Sequence, residues 1–111
     1  MDCIFCKIVS GEIPASKVYE NEHVIAFNDI NPQAPTHILV IPKKHIDGIH
    51  KATKEDAIGE LMLACVEVAR QNGLEDAGYR LVINSGMWGG QTVHHLHVHV
   101  LGGRAMTWPP G

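Results

Sequence analysis

The alternation of apolar and polar positions divides the chain into short strands around one long helix. Lys17-Val18-Tyr19-Glu20 and Val24-Ile25-Ala26-Phe27 read as strands, and the polar Asn21-Glu22-His23 between them suits a hairpin. His37-Ile38-Leu39-Val40-Ile41 is apolar on both faces, which predicts a central strand stopped by Pro42. Tyr79 to Asn84 predicts a fourth strand, and Val93 to Leu101 a fifth. On the fifth, Leu96, Val98 and Val100 form a core-facing side, while His95, His97 and His99 face the other way, roughly 6.6–6.8 Å apart. His94 falls on the apolar face.

Helical spacing occurs in two places. Apolar positions 4, 5, 8 and 9 predict one or two turns ending at Ser10-Gly11. Ile58, Leu61, Met62, Cys65, Val68 and Ala69 recur at three- and four-residue intervals, predicting a core-facing stripe on a helix that Thr53 and Asp56 would cap and Gly73 would end. Leu63 and Val66 lie off that stripe, so either the stripe packs widely or a second subunit covers them. Asp29 to Pro35 and Ser85 to Thr92 read as loops. Strands joined by short connections, with one long helix, predict an α+β fold with an antiparallel sheet, in a single domain over residues 1–111.

Composition narrows the function classes. Apolar residues make up 45% and charged residues 19%, with a formal charge of −3 and no block of like charges, so binding of nucleic acid through bulk charge is not expected. The N-terminus opens on Asp2-Cys3 instead of a basic region before an apolar stretch, and no apolar run could span a membrane, so a cytoplasmic location is expected. Three cysteines, Cys3, Cys6 and Cys65, make a disulfide framework improbable; Cys65 reads as helix core.

Half of the eight histidines fall within residues 94–99. Three imidazoles on one strand face offer a nucleophile, a proton donor and a surface for anions. The rival reading is metal chelation, since alternate histidines on a strand can share zinc with a ligand from elsewhere. Gly89 and Gly90 let backbone amides approach an anion, and Gln91 and Thr92 add neutral donors, which favours phosphate chemistry. His23 and His50 read as structural. Cys3 and Cys6 form a C-x-x-C pair, half of a tetrahedral zinc site or two reduced thiols; a redox pair of the thioredoxin kind would need a preceding strand.

The stretch Gly90-Gln91-Thr92-Val93-His94-His95-Leu96-His97-Val98-His99-Val100-Leu101-Gly102-Gly103 resembles the histidine triad motif, His-x-His-x-His followed by two apolar residues. The ending Arg104 to Gly111 resembles the tail of the family's nucleotide-binding branch, the purine nucleoside phosphoramidases. Ile4-Phe5, Gly11-Glu12-Ile13-Pro14, Phe27-Asn28-Asp29-Ile30, Pro32 to His37 and Pro42 to Ile46 match as well, so the likeness runs through nearly the whole chain.

The resemblance implies a HIT-like fold with five antiparallel strands, one long helix and a short N-terminal helix. It implies hydrolysis of AMP–amine compounds through a nucleotidyl-histidine on His97, with His99 at the phosphate and His95 orienting the nucleophile. His37 belongs to the same cluster. Phe27 and Ile30 would border a purine base and Asp29 would hold the ribose hydroxyls. Asn84, Gly90, Gln91 and Thr92 would hold the phosphate. Members of this branch are homodimers, in which the Trp108 tail would reach the partner's leaving group. The chemistry requires no cofactor. Some members with the N-terminal cysteine pair bind structural zinc, which implies Cys3, Cys6, His45 and His95 as ligands. A dinucleoside polyphosphate hydrolase, or a nucleotide-binding module with residual turnover, are the alternatives. Thr92 stands where serine is common, and His94 and Met87-Trp88 depart from the pattern.

Overall fold

The computed structural model describes residues 2–111. Five strands form one antiparallel sheet in the order β1-β2-β3-β5-β4, with β1 Lys17–Glu20, β2 Val24–Asn28, β3 Thr36–Pro42, β4 Arg80–Val82 and β5 Val98–Gly102. β3 lies in the middle, as its two apolar faces require: Ile38 and Val40 enter one core cluster, Leu39 and Ile41 the other. The long helix α2, Ile58–Gln71, packs on the first face through Leu61, Ala64, Cys65, Val68 and Ala69. Burial pushes the Cys65 thiol up to about 12, so it stays a neutral core group. Leu63 and Val66 remain exposed, which excludes wide-stripe packing within the chain.

The opposite face is covered by the short helix α1, Ile4–Ser10, whose Phe5 joins Ile25, Phe27, Leu39 and Ile41. Gly11 ends α1 in the left-handed region, at φ 84°, and its N–H donates to Ile8 O. One face of the sheet is therefore stable core, and the other is a core that gives way to a cleft.

Four expectations are corrected. The Thr53–Asp56 capping box exists, but it closes a separate 3₁₀ turn, Lys54–Asp56. Ala57, at φ 52°, interrupts the chain before α2, whose own N-cap makes no side-chain bond. Residues 86–89 of the predicted loop form a single helical turn, α3. β4 is shorter than Tyr79 to Asn84, because its ladder stops at Val82 opposite His99.

The fourth correction concerns the histidine strand. β5 begins at Val98, so only His99 of the row lies in the ladder, and residues 93–95 bend. The strand opposite explains this. Pro42 has no N–H to offer, and its carbonyl oxygen lies 2.9 Å from the Nε2 of the His95 ring instead of pairing with backbone. The bend turns His94 outward, away from the apolar face, while Leu96 stays buried against α2 with its N–H donating to Ile46 O at 2.7 Å.

Candidate active site and candidate metal centre

The sheet register places Phe27, Leu39 and His99 in one cross-strand row, on the face away from α2. A cleft of about 340 Å³ opens there, lined by Phe27, Asp29, Ile30, Thr92, His97 and His99, with Ile4, Phe5 and Ile8 of α1 forming one wall. His97 and His99 are neighbours with ring centroids 5.0 Å apart. His95 is not part of this row.

Hydrogen bonding decides which nitrogen each ring presents. The backbone carbonyl of His95 accepts from His97 Nδ1 at 2.7 Å, so the proton sits on Nδ1 and the Nε2 lone pair is left for chemistry. A second chain runs inward from the backbone. Gln33 N–H donates to His37 Nδ1 at 3.0 Å, so the His37 proton must sit on Nε2, which lies 2.9 Å from His99 Nδ1. His99 accepts there and carries its own proton on Nε2. That Nε2–H is buried and has no partner among the described residues. A buried donor without an acceptor is costly, and an anionic oxygen in the cleft would satisfy it.

Burial lowers the pKa of His37, with Asp29 opposing the shift. His99 is pushed down to about 4 by burial first and then by His97 and His37. Both are neutral at pH 7, as the hydrogen-bond order demands. Asp29 accepts from Asn31 N–H at 2.7 Å and keeps its other oxygen 3.5 Å from His37 Nε2, at the cleft edge.

The loop residues divide. Thr92 is exposed and borders the cleft. Gln91 is buried, and its side chain is committed to the loop: Nε2 donates to Asp47 O at 2.7 Å and Val93 O at 3.1 Å, and Oε1 accepts from Gly86 N–H at 3.0 Å. Gly90, at φ 85°, donates its N–H back into α3. Asn84 lines a neighbouring depression with Arg80, Gly89 and Arg104. The phosphate set implied by the resemblance is thus not gathered at the cleft: of Asn84, Gly90, Gln91 and Thr92, only Thr92 borders it. Trp108 is exposed, with the Arg80 guanidinium 5.9 Å from its ring centroid.

The first histidine of the motif, His95, faces sulfur. His95 Nδ1 lies 3.3 Å from Cys3 Sγ, 3.6 Å from Cys6 Sγ and 3.2 Å from His45 Nδ1; Cys6 Sγ lies 3.2 Å from His45 Nδ1. A tetrahedral zinc ion with the usual bond lengths has edges of about 3.3 Å for N···N and about 3.6 Å for S···N. Protonation agrees with the distances. Pro42 O can only accept, so the His95 proton sits on Nε2, and Asp47 Oδ1, 2.7 Å from His45 Nε2, holds the other ring the same way. Two nitrogen lone pairs then face each other at 3.2 Å, an arrangement that a shared cation stabilises. The residues fit the ion. Asp29, His37 and His99 also converge, but His37 and His99 spend their facing nitrogens on each other.

Sequence reasoning missed Phe5 as a neighbour of the histidines, and Asp47 and the Pro42 carbonyl as orienting partners. Asp47 stands two residues after His45, but nothing in the sequence separates it from an ordinary loop acid. His50 and His23 are peripheral, contacting Ser85 and Glu22.

This fold and this paired-histidine cleft define a histidine triad protein, and the comparisons agree. A profile described as HIT domain matches residues 10–106. A 14 kDa zinc-binding protein of Zea mays is 56% identical over 112 residues, covering 97% of this chain and 87% of the relative. An uncharacterized HIT-like protein of Synechococcus elongatus is 54% identical, covering 99% and 97%. The crystal structure of a HIT family hydrolase from Legionella pneumophila superposes with a TM-score of 0.96 at 51% identity, covering 99% of this chain and 100% of that one. The chain belongs to the HIT domain family, whose members are in general nucleotide hydrolases or transferases. No helix among the described residues is long and apolar enough to cross a membrane.

Proposed function

We propose that the protein hydrolyses purine nucleoside 5′-phosphoramidates, releasing AMP and an amine through a nucleotidyl-His97 intermediate. The observation that carries this reading is the His97 ring: Nδ1–H is held by a backbone carbonyl at 2.7 Å, and the ring borders the apolar cleft beside an unpartnered buried donor. The Nε2 lone pair attacks the α-phosphorus, the P–N bond breaks, and the departing nitrogen takes a proton from solvent. The imidazolium so formed keeps its Nδ1–H on the His95 carbonyl, which stabilises the added positive charge. His99 Nε2–H donates to a phosphoryl oxygen. Water then cleaves the P–Nε2 bond, releasing AMP and restoring His97.

The base lies between Phe27 and Ile30, the ribose hydroxyls bond to Asp29, and Thr92 contacts the phosphate. Gln91 and Gly90 act one step back, by shaping the loop. His37 holds His99 in its donor tautomer. Cys3, Cys6, His45 and His95 hold a zinc ion, as the geometry and the maize relative's name support. Zinc supplies cross-linking there and takes no part in the phosphoryl chemistry. The exposed Leu63 and Val66 are the face of a homodimer, in which Trp108 reaches the partner's leaving group.

His97→Ala is expected to abolish AMP release from an AMP–amine substrate, and mass spectrometry of quenched wild type should show an AMP adduct on His97. Full activity in the variant would overturn the mechanism. A dinucleoside polyphosphate assayed beside the phosphoramidate tests the other hydrolase reading.

A further inference from the structure

We infer that Cys3, Cys6 and His45 are positioning residues for the nucleophile, so that occupancy of the metal centre sets the orientation of His97. The inference rests on the proposed function for what His97 does, and on geometry for how it is held.

His95 belongs to both sites. Its ring is fully buried and fixed from two sides, by the Cys3, Cys6 and His45 ligand atoms at Nδ1 and by Pro42 O at Nε2. Its backbone carbonyl is the group that holds His97 Nδ1–H. Residues 93–97 precede β5, so no ladder bond orients that carbonyl. What fixes this short stretch is the Gln91 Nε2 bond to Val93 O at its start, the Leu96 N–H bond to Ile46 O, and the His95 ring. Releasing the ring from its Nδ1 partners leaves the His95–Leu96 peptide group, whose carbonyl chooses the His97 tautomer, held by the Leu96 N–H and the Pro42 O contact alone.

A second contact runs the same way. Phe5 sits between the two cysteines, buried, with its ring edge-on to His97 at 5.2 Å and 87° and to His95 at 5.9 Å. Cys3 caps α1, its Sγ accepting from Cys6 N–H at 3.3 Å. Ligation of both sulfurs would therefore also fix the start of α1, and with it the Phe5 ring that lies against His97. The metal centre and the nucleophile are joined by one peptide group and one aromatic ring.

The experiment uses the full chain with zinc bound, then stripped with a chelator, then reloaded. The primary readout is the ¹⁵N signature of the His97 ring, which needs no substrate. With zinc, a single tautomer protonated on Nδ1 is expected; without it, an exchanging mixture; reloading restores the first pattern. In parallel, kcat for an AMP–amine should fall about 10- to 100-fold on stripping, with KM changing less than about threefold, and recover with zinc. A stripped protein that melts at lower temperature yet keeps the His97 pattern and kcat overturns the inference, as does a chain that takes up no zinc. If the stripped chain loses its helical circular dichroism, zinc- and cadmium-loaded protein are compared instead. The larger ion should shift the His97 ring signals, and identical signals overturn the inference. Absence of turnover in the zinc-loaded chain counts against the proposed function alone, and the ring signature still decides the positioning role.

Discussion

His95 and His97 lie two residues apart and present opposite nitrogens. His95 gives its Nε2 to a backbone carbonyl and turns Nδ1 to two cysteines; His97 gives its Nδ1 to a backbone carbonyl and leaves Nε2 for the cleft. In the function proposed, the same side chain thus becomes a metal ligand or a nucleophile according to which nitrogen the backbone occupies. Burial does not separate them, since both are buried, nor does local sequence, since each precedes an apolar residue. The carbonyl that each ring meets makes the difference.

The sharpest way to break the comparison is to remove one ring at a time. His97→Ala should cost at least about 10³-fold in kcat while leaving zinc content at one ion per chain. His95→Ala should lose the zinc as well, read by metal analysis of the purified protein. A variant of either kind that showed the other's phenotype would refute the division of labour.

Asp29→Ala tests the ribose contact. It should raise KM about 10-fold for the ribonucleotide, and much less for the 2′-deoxy analogue, whereas an equal rise for both would move Asp29 out of that role. The two faces of the sheet can be contrasted with Gly102→Ala. A Cβ there would lie 2.6 Å from Leu74 Cδ2, so overpacking of about 1–3 kcal/mol should appear in denaturant melts with little change in KM.

Acid supplies a graded test of the His37–His99 chain. The folded pKa of His99 is about 4, below the ordinary value of 6.5, so the unfolded state binds the extra proton first. Stability should be level above pH 6.5 and fall as pH drops from 6.5 towards 4, by on the order of 1–2 kcal/mol, and His99→Gln should flatten that slope. The smallest effect belongs to Thr92→Ser, which keeps the hydroxyl and should leave kcat/KM within about twofold.

Much of this was legible in the chain. β1, β2 and β3 follow from alternation and turn residues, and the doubly apolar β3 announced its central place before any pairing was known. Spacing offered Cys3 and Cys6 as half of a zinc site or as two reduced thiols, the resemblance added His45 and His95, and the fold brings these four side chains together. What could not be read depends on contacts between distant segments. The late start of β5 comes from a proline on another strand, and the commitment of Gln91 to Asp47, Gly86 and Val93 comes from how the loop folds over residue 47. The helix start slipped because Asp56 pairs with Lys44 at 2.5 Å and closes its own turn instead of capping α2.

Both tryptophans stand at the surface, Trp88 at 98% and Trp108 at 82% exposure, and the core clusters contain neither. Intrinsic fluorescence of a lone chain should therefore emit at the red, water-exposed limit even when folded, and unfolding should barely move it. The same spectrum becomes a reporter of assembly: a blue shift on raising protein concentration, absent in Trp108→Phe, would register the tail entering a neighbour's cleft.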